Sequence, residues 1–506
     1  MKKPIAPSFP VEPPAAGRRS RCACGLLAVF AAAACLSACA AVGPDYVRPQ
    51  EDPPTAWHMD LQKGLSEAPA DPLTLSRWWA TLNDPDLSRL VERAALGNLD
   101  LAEALARVRE ARARRGISTA ALFPVLDASG AATRSRSSEN RGSGETGNFY
   151  TAGFDAGWEL DVFGGVRRSI EAAEMDLQAS QEELHDVMVS LLAEVALNYV
   201  EARTFQARLG VAEANVVAQE ETFGLIRSRY EAGLSSELAF QESLFNLEST
   251  RSQIPRLRTG LEAAKNRLAV LLGEQPGAVH AELAERRPIP LTPLQIAVGV
   301  PADALRRRPD VRRAERSLAA QTARIGVATA DLYPKFSLAG GIGLESLAGG
   351  DFLEYDSRSW NLGPSFSWNV FDAGAIRRNI EVQSALQEQA LMRYESALLI
   401  ALEEVENALV AYAEEQFRRE SLTLATDAAG KAVQLAQEQY KAGLVDFSSV
   451  LIAQRSLLTL QDELAITEGA VTGNLVRLYK ALGGGWRSMA GEDAWKPELG
   501  LKGRQK

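Results

Sequence analysis

Little in this chain is suited to covalent or metal chemistry. Its four cysteines, Cys22, Cys24, Cys35 and Cys39, all fall within the first 39 residues, so no disulfide can staple the rest of the sequence. Cys22 and Cys24 also lack the second pair of ligands that a zinc site takes. There are only three histidines, His58, His185 and His280, and none has a cysteine or another histidine at ligand spacing. His185 stands among Glu182, Glu183 and Asp186, as on a solvated helical face. Phosphate-cradling glycine loops are missing too: Gly340-Gly341-Ile342-Gly343 lies inside an alternating strand pattern, and no Lys-Ser or Lys-Thr follows it. The expectation is a chain without metal or cofactor that is not an enzyme. A formal net charge of -10, with both signs interspersed, argues against a nucleic-acid partner, which would need clustered Lys and Arg. Proline is absent between Pro124 and Pro255 and again between Pro364 and Pro497, which leaves long stretches free to be helical.

What is present begins with an export signal over residues 1–38. Basic Arg18, Arg19 and Arg21 precede the apolar run from Gly25 to Leu36, which is too short for a transmembrane helix. The run ends in Leu36-Ser37-Ala38-Cys39, which resembles the lipobox of bacterial lipoproteins. That resemblance implies cleavage before Cys39 and diacylglyceration of its thiol; the alternative is an ordinary cleavage site beside an incidental cysteine. Ala40 and Ala41, in place of an aspartate after the cysteine, resemble lipoproteins forwarded to the outer membrane. Two or three acyl chains anchor firmly, because each buried methylene contributes about 0.8 kcal/mol.

The mature sequence repeats itself. Leu122-Phe123-Pro124 recurs as Leu332-Tyr333-Pro334, Trp158 as Trp368, Gly164 as Gly374, Arg167-Arg168 as Arg377-Arg378 and Ile170-Glu171 as Ile380-Glu381. Tyr230, Ala232-Gly233-Leu234 and Leu272-Gly273 return as Tyr440, Ala442-Gly443-Leu444 and Leu482-Gly483 at the same offset. Two tandem copies are therefore expected, at 84–275 and 301–485, each a four-segment helical unit with one β-hairpin. A segment at 39–83, a linker at 276–300 and a tail at 486–506 flank them.

Each copy opens on a helix signal, Asp84-Pro85 in the first and Arg308-Pro309-Asp310 in the second. After Pro124 and Pro334 the apolar period switches from helical to two. Even positions from Tyr150 to Val162 and from Trp360 to Val370 are mostly apolar or small, while odd positions are mostly polar or glycine. Strands are expected at about 125–134, 149–163, 336–346 and 359–371. Such alternation fits a half-buried soluble sheet as well as a membrane barrel. The length of the stretches and the aromatics near their ends, Tyr150, Trp158, Trp360 and Trp368, favour the barrel. Four strands cannot close one in lipid, so other copies must complete it. The proline-free stretches carry apolar seams such as Leu391, Tyr394, Leu398, Leu402, Val405, Leu409 and Tyr412. A helix from Gly165 to Ala232 would be on the order of 100 Å long, and Gly233 and Gly443 are suited to reverse it into a second one.

Trp78-Trp79, Leu82, Asp84-Pro85, Asn98-Leu99-Asp100-Leu101 and Ala106-Arg107-Val108 resemble the opening of the TolC-like outer-membrane efflux proteins of Gram-negative bacteria. Arg307-Arg308-Pro309-Asp310-Val311 and Phe371-Asp372-Ala373-Gly374 resemble that family's lipoprotein branch, which serves resistance-nodulation-division pumps. The resemblance implies a mostly α fold joined to a membrane β-barrel. In it a homotrimer shares one twelve-stranded β-barrel and one periplasmic α-barrel, docked to a periplasmic adaptor that also grips an inner-membrane resistance-nodulation-division transporter. It further implies that Ala232, Gly233, Leu234, Ala442, Gly443 and Leu444 dock the adaptor, although tight turns alone would account for them. Tyr440 matches a tyrosine that helps hold the closed gate. Val445, Ser449, Ile452 and Ala239 replace the charged gate residues of the best-known member, leaving Glu237 and Asp446 as substitutes. The exit channel of a type I protein-secretion system is the alternative within this class, and an envelope-spacer lipoprotein the alternative outside it.

Overall fold

The computed structural model describes residues 41–486 apart from 51, 52, 70, 143 and 294. The signal at 1–38, Cys39 and most of the 486–506 tail lie outside the described residues. The described residues divide into two compact units, one from 41–46, 116–172 and 321–386, the other from 47–115, 173–320 and 387–486.

The first unit is organised by a four-stranded antiparallel sheet of β2 (Val125–Arg136), β3 (Thr146–Leu160), β5 (Lys335–Ser346) and β6 (Arg358–Ser367), in that order. Register fixes its faces. Ala128, Phe154, Ile342 and Trp360 stand opposite one another, as do Leu126, Ala156, Gly340 and Leu362, so every even position lies on one face. The odd rows, such as Asp127, Asp155, Gly341 and Asn361, lie on the other. β2 and β6 are edges with no second partner among the described residues, so the sheet is open.

Two strand ends differ from the alternation in the sequence. β3 stops at Leu160 and β6 at Ser367, leaving Val162, Trp368 and Val370 outside the strands. The reason is capping. Asp161 accepts from the backbone N–H groups of Val166 at 3.0 Å and Arg167 at 2.9 Å, and Asp372 accepts from Gly374 at 2.9 Å and Ile376 at 2.7 Å. Each carboxylate thus starts a helix where an alternating pattern would continue a strand.

The second unit is helical. Its short entry contains β1 (Leu65–Ser66), α1 (Pro72–Ser76) and a 3-10 turn at Trp78–Leu82, followed by α2 (Pro85–Gly97) and α3 (Leu99–Ala120). Asp84 caps α2 by accepting from Leu87 N–H at 2.9 Å, with Pro85 at the first helical position. The further helices are α4 (Gly165–Glu231), α5 (Glu237–Leu271), α6 (Pro301–Arg307), α7 (Pro309–Ala330), α8 (Ala375–Lys441) and α9 (Phe447–Ala481), of which α4, α7 and α8, like α3, have one end in the first unit. α4 and α8 have 67 residues each, and α5 and α9 have 35 each. α7, β5, α8 and α9 begin 210 residues after α3, β2, α4 and α5. Pro255 sits inside α5 without ending it.

The main core gathers Trp78, Leu87, Leu90, Leu192, Tyr199, Leu268, Tyr412 and Leu475, with Trp78 stacked on Tyr479 at 5.6 Å. β1 pairs in parallel with β4 (Ile296–Ala297), and Trp57 Nε1 donates to the Gly299 carbonyl at 2.8 Å. These contacts join the 39–83 segment to the 276–300 linker. No helix among the described residues is long and apolar enough to cross a membrane.

Candidate functional site

Two features lack an internal role: the bare face of the sheet and the two helix-to-helix turns. On the even face Phe154 is 53% exposed, Ile342 66%, Trp360 79%, Leu362 70% and Phe366 69%. A monomer rarely leaves so large a contiguous apolar patch to water. The odd face is hydrogen-bonded and polar: Ser129 donates to Asp155 at 3.2 Å, Ser359 donates to Glu345 at 3.2 Å, and Ser337 lies 2.9 Å from Ser365. At one end of the sheet, Trp158 Nε1 donates to the Leu122 carbonyl at 2.9 Å and Trp368 Nε1 to the Leu332 carbonyl at 3.0 Å. Both indoles are thereby tied to the segments that lead into β2 and β5.

The turns are twins. Gly233 (φ +69°) and Gly443 (φ +74°) adopt the left-handed conformation that closes a helix. Gly233 N–H donates to Tyr230 at 2.9 Å and Leu234 N–H to Arg229 at 2.7 Å; Gly443 N–H donates to Tyr440 at 3.0 Å and Leu444 N–H to Gln439 at 2.9 Å. Ala232, Gly233, Leu234, Ala442, Gly443 and Leu444 are all exposed, the leucines at 72% and 75%. A Cβ added at either glycine would meet nothing within 4 Å.

Behind the turns, Ile226, Phe447, Val450 and Leu451 form a small buried cluster flanked by Phe240 and Tyr440. Tyr440 is half-buried, with its ring 5.4 Å from Phe447 and the Arg229 guanidinium 5.3 Å above it. Glu237 and Asp446 are exposed, and neither has an ion-pair partner among the described residues. The structure therefore brings Tyr440 together with Arg229 and Phe447, which the sequence pattern did not single out. Only the place of Arg229 in the helix-closing Arg229-Tyr230 pair could have flagged it.

The comparisons fit this geometry. The family model described as outer membrane efflux protein matches residues 90–274 and 300–484. Nodulation protein T of Rhizobium leguminosarum bv. trifolii is 32% identical over 456 residues, spanning 90% of this chain and 96% of the relative. The cation efflux system protein CusC of Escherichia coli O6:H1 is 30% identical over 465 residues, spanning 90% of this chain and 98% of the relative. Among solved structures, the outer-membrane channel OprN superposes with a TM-score of 0.83 at 36% identity, covering 88% of this chain and 99% of that one.

Proposed function

The chain belongs to the outer membrane efflux protein family and serves as an outer-membrane efflux channel, and from this premise we propose how it is assembled and used. Three copies each give β2, β3, β5 and β6 to one twelve-stranded barrel, and their long helices to one α-barrel. The open sheet with one apolar and one polar face carries this reading. In a bilayer the unpaired amides of β2 and β6 would each cost several kcal/mol. Pairing the β6 edge of one copy with the β2 edge of the next removes that cost. The even face then meets lipid and the odd face lines a hydrated duct.

In this assembly residues 84–275 and 301–485 are the tandem copies, and 39–83, 276–300 and 486–506 form a collar. Cys39 carries the acyl anchor. The turns at Ala232-Gly233-Leu234 and Ala442-Gly443-Leu444 form the periplasmic mouth, reached by helices that run about 100 Å at 1.5 Å per residue. There a periplasmic adaptor docks, which itself holds an inner-membrane resistance-nodulation-division transporter. Tyr440, with Glu237 and Asp446 nearby, stands at the resting gate, and Arg229 braces its ring. The protein moves small molecules passively through a tripartite pump, and cargo choice belongs to the transporter.

Conductance in planar bilayers tests the reading. The purified protein is expected to form discrete low-conductance channels whose conductance rises when Arg229→Ala and Tyr440→Ala free the mouth. A protein that inserts but never conducts, with or without these substitutions, would refute it.

A further inference from the structure

The segment just after Cys39 is held by a socket of glycines and one arginine. Val42 N–H donates to the Phe163 carbonyl at 3.0 Å. Arg168 Nε donates to the Val42 carbonyl at 3.1 Å, and Nη2 donates to the Gly43 carbonyl at 3.2 Å and the Asp45 carboxylate at 2.6 Å. Nη1 is taken by Glu171 at 2.8 Å, and the arginine side chain is only 6% exposed. Glycines make the room. A Cβ at Gly43 would lie 2.4 Å from the Gly326 Cα, one at Gly326 would lie 2.8 Å from the Arg168 side chain, and one at Gly164 would lie 2.5 Å from the Ala41 Cβ. Gly43 (φ +92°) and Gly164 (φ +80°) also adopt backbone angles that a side chain would strain.

The tandem repeat supplies an internal control. Gly374, Arg378, Glu381 and Gly116 are the counterparts of Gly164, Arg168, Glu171 and Gly326 at the 210-residue offset. There the Arg378 side chain is 78% exposed, and its ion-pair partner among the described residues is Glu381 at 2.6 Å. A Cβ at Gly374 or Gly116 would meet nothing within 4 Å. The same four residue types thus occur twice, and residues 41–45 lie on only one set.

We propose that Gly164, Arg168 and Gly326 form a receptor for the residues directly after the lipid-bearing cysteine. The acyl anchor is thereby fixed at one of two sequence-equivalent positions instead of trailing on a free tether. This rests on the reading of Cys39 as the lipid attachment site. The held segment begins two residues after Cys39, so the acyl chains enter the bilayer within about 7 Å of it along the chain. Arginine suits the task because its planar fork addresses two carbonyls and a carboxylate at once, which a lysine ammonium cannot match.

The mature chain has no cysteine after Cys39, and an acylated Cys39 does not react with maleimide. Val42→Cys is therefore a single-site reporter in the full-length membrane protein. Its maleimide alkylation is expected to be slow in the parent and at least about tenfold faster with Arg168→Ala, the factor expected from losing a charged hydrogen bond. Arg168→Lys should fall between, and Arg378→Ala should leave the rate unchanged. Asp45 is 86% exposed, so Asp45→Ala removes one contact without endangering the fold and should quicken labelling a few-fold. Fast labelling in the parent, no change with both Arg168→Ala and Asp45→Ala, or equal acceleration by Arg378→Ala would overturn the socket. Mass spectrometry of the same samples reads Cys39 separately. A bare Cys39 beside a protected Val42→Cys sinks the lipid reading, whereas an acylated Cys39 beside a freely reactive Val42→Cys sinks the socket alone.

Discussion

Phe154→Arg isolates the barrel reading in one side chain. Phe154 sits in the row Ala128, Phe154, Ile342 and Trp360, on β3, which is paired on both sides. A charge at the midplane of a barrel's lipid face costs about 2 to 4 kcal/mol. Three copies per barrel multiply this to about 6 to 12 kcal/mol per assembly, comparable with the whole stability of an ordinary domain. The matched control must be on the odd face and must not clash for an unrelated reason. Gly157 meets both conditions: it pairs with Val125 and Ala339, and a Cβ there meets nothing within 4 Å. Gly153 fails, because a Cβ there would lie 2.7 Å from the Ile342 carbonyl oxygen. The assay is the amount of heat-resistant trimer in outer-membrane fractions on unboiled gels. Phe154→Arg should abolish or strongly reduce it, and Gly157→Arg should leave most of it. Equal losses from both, or a greater loss from Gly157→Arg, would refute the assignment of the faces.

Other outcomes follow from the same structure. Cys39→Ser should block acylation and leave a longer species with an uncut or differently cut signal, visible by intact mass; an unmodified Cys39 in the mature parent would contradict the anchor. Gly443→Trp or Gly233→Trp forces a left-handed non-glycine residue, at about 1 to 2 kcal/mol, into open space. Trimer levels should therefore hold while adaptor crosslinking and efflux fall, and unchanged adaptor capture would count against the docking turns. In the helical unit, burial pushes the Asp310 carboxyl up, but the hydrogen bond and charge of Arg308 outweigh it and hold the group below its usual range. A depressed carboxyl stabilises the fold above the unfolded-state pKa of about 3.9, and that contribution is lost as pH falls through the folded value. Asp310→Asn should accordingly lower stability at neutral pH and flatten its decline below about pH 4; a decline as steep as the parent's would show that another group governs it.

Much of the architecture was legible because it rests on period and on proline. The even-odd split in Tyr150 to Leu160 and the absence of proline over α4 and α8 depend only on local sequence, and the sheet faces and helix lengths follow. Strand ends were not legible. Asp161 is indistinguishable in the pattern from any polar strand position until its carboxylate meets helix amides. Pro255 misleads in the opposite sense, sitting within a continuous helix where the residue type argues for an end. The two glycine turns could be found from their repeat, but the Arg229 to Tyr440 contact joins residues far apart in sequence. The Arg168 socket was hidden for the same reason, since its partners come from three separated stretches of chain.

The tethered indoles of Trp158 and Trp368 have a consequence for where this protein can live. An indole free to swing could follow a thicker or thinner bilayer, but these two are tied to backbone carbonyls at 2.9 and 3.0 Å and mark a fixed level. In the proposed barrel the strand from Trp158 to Tyr150 would climb about 26 Å at 3.3 Å per residue, or roughly 19 Å of depth at a tilt near 45°. That is short for an average hydrocarbon core of about 30 Å and suits the thinner outer membrane. Placed in a thicker membrane, the rigid band could not stretch, and the lipid around it would have to compress. Hydrophobic mismatch would then help retain the channel in the outer membrane.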